Sequence, residues 1–237
     1  MSEVFPRPDG GERHARLTGV LFDFGGTLDA DGIAWKERFF ALVSADGIEV
    51  PSAEFDAAFY RADDALLGVV PTTLDLEATS RRLCRGLYAA LGRTDRRRAD
   101  RVAARFCADS RAAAQRNAAL LGVLGRRLRL GVVSNFYGNL EAVCADLGLL
   151  QHFDVVIDSS RVGVEKPDRR IFLAALETLQ IPAADTLFVG DSLARDMVGA
   201  RALGMPHAWL RGASARGVPC CVDDPVLSQL GDLGNLV

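Results

Sequence analysis

Lysine is scarce in this chain. Basic residues are almost all arginine, and only Lys36 and Lys166 break the pattern. In that background a lysine is harder to dismiss as solvated surface filler. Histidine is scarce too: His14, His152 and His207 have no sequence neighbours that suggest catalysis. The five cysteines (Cys84, Cys107, Cys144, Cys220 and Cys221) form an odd set without C-x-x-C spacing. That argues against a disulfide framework or a metal cluster and suits a reducing compartment, hence the cytoplasm. No apolar run approaches the roughly 20 residues needed to cross a bilayer. A net charge of −3 gives no reason to expect nucleic acid or anionic lipid as a partner. The first sixteen residues carry proline, glycine and charge without an apolar core. They read as a disordered leader and not as a signal peptide.

What is present is ordinary in amount and ordered in pattern. Hydrophobic residues make up 49% of the chain and charged ones 25%, enough to build a buried core. Short apolar, β-branched runs occur at Leu17–Phe22, Leu128–Val133, Val155–Ile157, Leu187–Val189 and Ala208–Leu210. Each is strand-length and ends in small or polar residues. Amphipathic stretches at Asn139–Leu147, Arg169–Leu179 and Leu193–Leu203 fall between most of them. Strands alternating with helices predict an α/β fold, a Rossmann-like parallel sheet covered on both faces. Val218–Val222 suggests a final strand, which Pro219 would confine to an edge.

From about Ile33 to Arg116 the alternation stops. Helical patterns occupy Trp35–Val43, Ala53–Leu67, Leu76–Leu91 and Arg96–Arg116. A crossover between parallel strands needs one helix, so this stretch predicts a helical cap inserted after the first strand. The expected division is a leader over 1–16, a core built from 17–31 and 117–237, and a cap over 32–116. The arginine-rich part of the last cap helix is balanced by acids and reads as a solvated face.

Open parallel sheets bind ligands beyond the carboxyl ends of their strands. Reading those ends in order gives Asp23, Ser134, the Lys166 loop and Asp191: a nucleophile, a hydroxyl, a cation and a second carboxylate. Asp23 precedes a Gly-Gly-Thr turn, where backbone can approach a ligand closely. A carboxylate there can attack phosphorus and split one hard step into two easier ones. Ser134, with the backbone N–H groups about Asn135 and the following helix, can hold a phosphoryl oxygen. Lys166 can neutralise both nucleophile and phosphoryl group.

Four segments carry a resemblance: LFDFGGTLD (Leu21–Asp29), VVSN (Val132–Asn135), EKPD (Glu165–Asp168) and FVGDSLARDMVGARALGM (Phe188–Met205). In this order they resemble the four motifs of the haloacid dehalogenase-like (HAD) hydrolase superfamily, and the helical insert resembles its C1-type cap. The resemblance implies Asp23, Lys166 and Ser134 as catalytic residues, with Asn135, Gly26 and Thr27 around the phosphate; Trp35, Lys36, Arg38 and Phe39 open the first cap helix and are candidates to face the substrate, Lys36 as a phosphate-binding residue. It also implies Mg²⁺ held by Asp23, the Gly25 carbonyl and Asp191, with Asp196 direct or through water. Three adjacent carboxylates are costly to ionise together without a cation, and Mg²⁺ prefers oxygen ligands. The expected substrate is a phosphorylated small molecule, and the expected state is a monomer or homodimer.

One position departs from the pattern. Gly25 stands where most phosphatases of this kind carry a second Asp, their general acid and base. A positioned acid–base group is worth about 10²–10⁴ in rate. Asp29, Asp31 and Glu37 are near enough in sequence to substitute. If the lost acid alone limits activity, Gly25→Asp should restore it. A leaving group needing no proton is an alternative, and so is a phosphate-binding protein without turnover. A phosphonatase would use a cap lysine, here Lys36, as a Schiff base. A dehalogenase would work without metal, which the Asp191 and Asp196 pair argues against.

Overall fold

The structure is a computed structural model that describes residues 17–212, 218–219 and 224–237. Six parallel strands form one sheet in the order β3-β2-β1-β4-β5-β6. They are β1 (Gly19–Phe22), β2 (Arg129–Ser134), β3 (Val155–Asp158), β4 (Thr186–Gly190), β5 (His207–Leu210) and β6 (Val226–Leu227). The fold is a Rossmann-like α/β sheet with flanking helices, as the alternation predicts. β1 lies at the centre, with Phe22 opposite Val132 of β2 on one side and Val189 of β4 on the other. The connection order reverses at this strand, which opens a crevice at its carboxyl end.

Side-chain alternation along the buried strands sorts the core into two layers. Val20, Phe22, Val132 and Val189 face one way and join the helices that follow β1. Leu21, Val133, Ile157 and Phe188 face the other and pack on Ile171, Phe172 and Leu176 of a long covering helix. Both faces are apolar because both are covered, which is why the strands read as continuous hydrophobic runs.

Between β1 and β2 run four helices without an intervening strand: α1 (Trp35–Ala45), α2 (Ser52–Asp64), α3 (Leu76–Ala90) and α4 (Arg96–Leu124). Asp75 and Asp95 cap the last two, each accepting from the backbone N–H three residues on. α4 runs past the expected end at Arg116 as far as Leu124, with Leu121 and Leu124 buried against the sheet layer. The remaining helices are α5 (Leu140–Asp146), a single turn α6 (Ser159–Val162), α7 (Arg169–Leu179) and the short α8 (Val198–Arg201). α8 continues a wide turn over Leu193–Met197. Asp168 caps α7 through the Arg170 N–H.

The last strand differs from expectation. It is formed by Val226–Leu227, pairing with Trp209 and Leu210, whereas Cys220 to Val222 of the expected Val218–Val222 strand lie outside the described residues, as do the leader and His14. Cys84, Cys107 and Cys144 are free, buried thiols. Burial pushes Cys84 and Cys144 up to about 12, so both are inert. Among the described residues no helix is long and apolar enough to cross a membrane.

Candidate active site

Asp23 emerges from the central strand, its N–H held by the Val189 carbonyl at 2.9 Å. Two side chains converge on one of its carboxylate oxygens. Ser134 Oγ, at the end of β2, donates to Asp23 Oδ1 at 2.9 Å, and Lys166 Nζ lies 2.5 Å from the same atom. Asp23 Oδ2 takes no hydrogen bond among the described residues. Lys166 also lies 2.7 Å from Asp196 Oδ1. At that separation the two form a buried, charge-assisted contact. Burial works against the Lys166 ammonium, but Asp196 and Asp23 outweigh it and hold its pKa above the ordinary value.

Asp191 completes an acidic triad. Ligand-type oxygens of Asp23, Asp191 and Asp196 all lie within 4.8 Å of one another. Burial, then the adjacent Asp23 and Asp196 carboxylates, push Asp191 well above the usual carboxylate range. Asp196 is also raised, by burial first, despite the opposing Lys166. Two glycines allow this crowding. A Cβ on Gly26, where φ is +96°, would lie 2.6 Å from Asp191 Oδ2, and one on Gly190 would lie 2.4 Å from Asp196 Oδ2. The donor set fits Mg²⁺: three clustered hard carboxylate oxygens with more negative charge than Lys166 can offset.

The Asn135 side chain has a task beside the expected one. Its Oδ1 accepts from Lys166 N–H at 2.8 Å and its Nδ2 donates to the Lys166 carbonyl at 3.2 Å, a two-point clamp on the loop that presents the lysine. That loop contains a cis Lys166–Pro167 peptide. Gly26 offers no free N–H, whereas Thr27 Oγ1 is buried without a hydrogen-bond partner among the described residues. The Gly26 N–H is bonded to Asp29 Oδ1 at 2.8 Å, and Thr27 is wholly buried outside the cavity.

The cavity above Asp23 measures about 200 Å³. The sheet edge supplies Ser134, Asn135, Lys166, Ser192 and Arg195, and the helices supply Trp35, Lys36, Glu37, Phe59, Tyr60 and Asp63. Phe136 and Tyr137, just after β2, close the side. Phe39, by contrast, is a core residue stacked on Phe106 at 4.3 Å. Lys36 is spoken for: its Nζ lies 3.0 Å from Asp56, and although burial opposes its charge, the Asp56 bond and Glu37 raise its pKa. A Schiff-base lysine needs the opposite shift.

The three expected substitute acids fare differently. Asp29 is fully buried and saturated, accepting from Gly26 N–H, Trp35 Nε1 (2.8 Å), Arg38 Nη1 (2.6 Å) and Ser110 Oγ (3.1 Å). Asp31 pairs with Arg116 at the surface. Glu37 borders the cavity but is half exposed beside Lys36. Sequence reading missed Asp63 and Arg195. Burial opposes the Arg195 charge, but Asp23, Asp196 and Asp191 raise its pKa further, so it remains a guanidinium facing the acidic triad. Its place between Asp191 and Asp196 in the sequence was the available signal.

An open parallel sheet with an acidic, lysine-bearing cavity at its central switch point, roofed by helices, defines a Rossmann-like α/β protein with its crevice at the strand ends. Residues 17–204 match the model of the haloacid dehalogenase-like hydrolase family, and the chain belongs to that family. It is 47% identical over 93 residues to haloacid dehalogenase-like hydrolase domain-containing protein 3 of Bos taurus, covering 39% of this chain and 37% of that one. It is 33% identical over 93 residues to the pyrimidine 5'-nucleotidase YjjG of Escherichia coli, covering 38% and 41%. It is 34% identical to the phosphoserine phosphatase of Thermus thermophilus, covering 36% and 34%. The chain thus spans well under half the length of these relatives. Among solved structures, the magnesium-bound HAD-hydrolase YfnB of Bacillus subtilis superposes with a TM-score of 0.58 at 21% identity, covering 93% of this chain and 98% of that one.

Proposed function

We propose that this chain is a Mg²⁺-dependent, phosphatase-like hydrolase that acts on a phosphorylated small molecule through an aspartyl-phosphate at Asp23. The observation that carries the reading is the state of that carboxylate. Oδ1 is fixed by Ser134 and Lys166, Oδ2 takes no hydrogen bond among the described residues, and Asp23 lines the cavity. A nucleophile held by one oxygen and unencumbered at the other suits in-line attack on phosphorus. Lys166 offsets charge on the transferring group, and Asn135 keeps Lys166 in place. A divalent cation held by Asp23 and Asp191, with the Gly25 carbonyl and Asp196, would neutralise the phosphoryl oxygens.

The helices over residues 32–116 act as a C1-type cap that excludes water and selects the leaving group, over a core formed by 17–31 and 117–237. A cavity of about 200 Å³ suits a phosphoryl group with a small leaving group. Relatives named as a nucleotidase, a phosphoserine phosphatase and a glyceraldehyde 3-phosphate phosphatase support this substrate class. The reading extends to a cytoplasmic monomer or homodimer; the net charge of −3 supports leaving nucleic acid and anionic membrane out.

The test is turnover of para-nitrophenyl phosphate with Mg²⁺, since nitrophenolate leaves without help from an acid. Asp23→Asn should abolish it, and activity surviving that change would overturn the nucleophile assignment. Gly25 keeps a second reading alive, a phosphate-binding relative without turnover. Inertness toward phosphate esters, acyl phosphates and phosphonates alike would favour it.

A further inference from the structure

The second Asp of the usual first motif cannot simply be mislaid nearby, because its place is filled. A Cβ built on Gly25 would lie 3.3 Å from both Cδ1 and Nε1 of Trp35. The indole nitrogen is committed to Asp29, and Asp29 is wholly buried and does not line the cavity. Of the other carboxyl groups lining the cavity, Asp23 is the nucleophile, Asp196 is paired with Lys166, and Glu37 sits beside Lys36. Asp63 remains. It projects from the end of α2, on the helical side of the cavity, away from the strand-end cluster. Tyr137 Oη donates to its Oδ1, while Oδ2 takes no hydrogen bond among the described residues. Tyr137 is buried and is thereby a fixed tether between the sheet edge and the helices.

We propose that Asp63 is the general acid and base of this site, supplied by the cap in place of the residue lost at Gly25. The inference rests on Asp23 being the nucleophile. In the first step the bond from Asp23 oxygen to phosphorus forms as the bond to the leaving oxygen breaks. The Asp63 proton moves to that oxygen, leaving Asp63 a carboxylate. In the second step water attacks the phosphoaspartate and the Asp23–phosphorus bond breaks. Asp63 takes a proton from the water, so both carboxyl groups return to their starting states and phosphate departs.

The surroundings of Asp63 favour this use. Burial raises its pKa, Tyr137 and Arg195 pull it down, and Asp64 and Glu165 push it up, with a net rise. A carboxyl held above its ordinary value retains a proton to give nearer neutral pH. Placing the acid on the cap also means that protonation of the leaving group is available only when the helices cover the site.

A series of substituted phenyl phosphates, from nitrophenyl to unsubstituted phenyl, tests this with wild type, Asp63→Asn, Asp63→Glu and Asp23→Asn. Asparagine keeps the acceptor for Tyr137, so the fold should persist, which a thermal melt verifies. Asp63→Asn should slow breakdown of the phosphoaspartate for every ester alike, and in kcat/KM, which reads the first step, should reduce phenyl release by about 10²–10⁴-fold and nitrophenyl release by far less. The dependence on leaving-group basicity would then steepen, with partial rescue by Asp63→Glu. If Asp23→Asn is inactive while Asp63→Asn shows an unchanged slope, the acid assignment falls and the nucleophile stands. If Asp23→Asn retains turnover, or wild type hydrolyses none of the series, the underlying reading falls and takes the inference with it.

Discussion

Gly25 has φ −76° and ψ 110°, angles open to any residue, so the indole of Trp35 and not the main chain restricts this place. Trp35 cannot readily withdraw. Its ring packs edge-on to Phe24, Phe106 and Phe136, with centroids 6.4, 4.9 and 5.6 Å away, and its Nε1 is bonded to Asp29. Gly25→Asp should therefore fail to restore an acid. It is expected to cost about 1–3 kcal/mol through overpacking, read by urea unfolding, and to leave phenyl phosphate turnover no faster than wild type. A gain in that turnover with intact stability would show that the indole yields and that the vacancy, after all, limits the rate. Gly26 and Gly190 constrain the site differently, since at each the missing side chain makes room for a carboxylate and not an aromatic ring.

At the scale of elements, Asp29 and Arg38 join the turn after β1 to the helical layer. Arg38 on α1 pairs with Asp29, donates to the Phe106 carbonyl and Ser110 on α4, and lies 4.0 Å from the Phe106 ring centroid. Both side chains are nearly buried, at 10% and 0% exposed. Removing one member of such a pair strands the other. Asp29→Ala should destabilise by about 3–5 kcal/mol, measured by chemical denaturation, and should weaken substrate binding because the Gly26 N–H loses its acceptor. A loss under about 1 kcal/mol would mean that water replaces the carboxylate and that this latch is not structural. The reading of Asp29 from its sequence position illustrates what was legible. Its nearness to the site was evident, but its saturation was not, because Ser110 and Arg38 arrive by tertiary packing. The strands were legible for a simple reason: with both faces covered, the interiors of β1, β2 and β4 are apolar runs, and β2 ends at Ser134, where the polar site begins. Asp63 gave no such signal, since its partner Tyr137 lies across the cavity on another layer and α2 around it reads as an ordinary amphipathic helix. Lys166 was legible through its rarity, whereas the clamp from Asn135 depends on two loops meeting.

For the molecule as a whole, folding gathers Asp23, Asp191 and Asp196 at the one point where the sheet's connections reverse, and the charge this concentrates links stability to pH. Asp191 and Asp196 have carboxyl groups raised by burial and by their neighbours, and Asp63 and Asp158 are raised mainly by burial. A raised carboxyl binds its proton more tightly in the folded state. Without a cation, the folded protein therefore loses stability as pH climbs from the unfolded carboxylate value of about 4 through the raised folded values. Lys166 does not offset this trend, because its own raised pKa keeps it charged throughout and its contribution is lost only at alkaline pH. The lowered acids Asp168 and Asp232, both near about 2, act in the opposite sense but only as pH falls below the ordinary carboxylate range. Mg²⁺ competes with protons for the same oxygens. The melting temperature should accordingly rise with Mg²⁺ at pH 8 and rise less at pH 5, where the upward shift of Asp191 lets protons compete better for its oxygens; at a hundredfold excess over the dissociation constant the gain is about 2.7 kcal/mol. Calorimetry at the two pH values measures this without any substrate. Asp191→Asn should raise the melting temperature of the cation-free protein at pH 8 and abolish the response to Mg²⁺, because it removes in one step both the repulsion and a ligand. An equal Mg²⁺ response at both pH values, or one that survives Asp191→Asn, would place the cation elsewhere and detach the acidic triad from it.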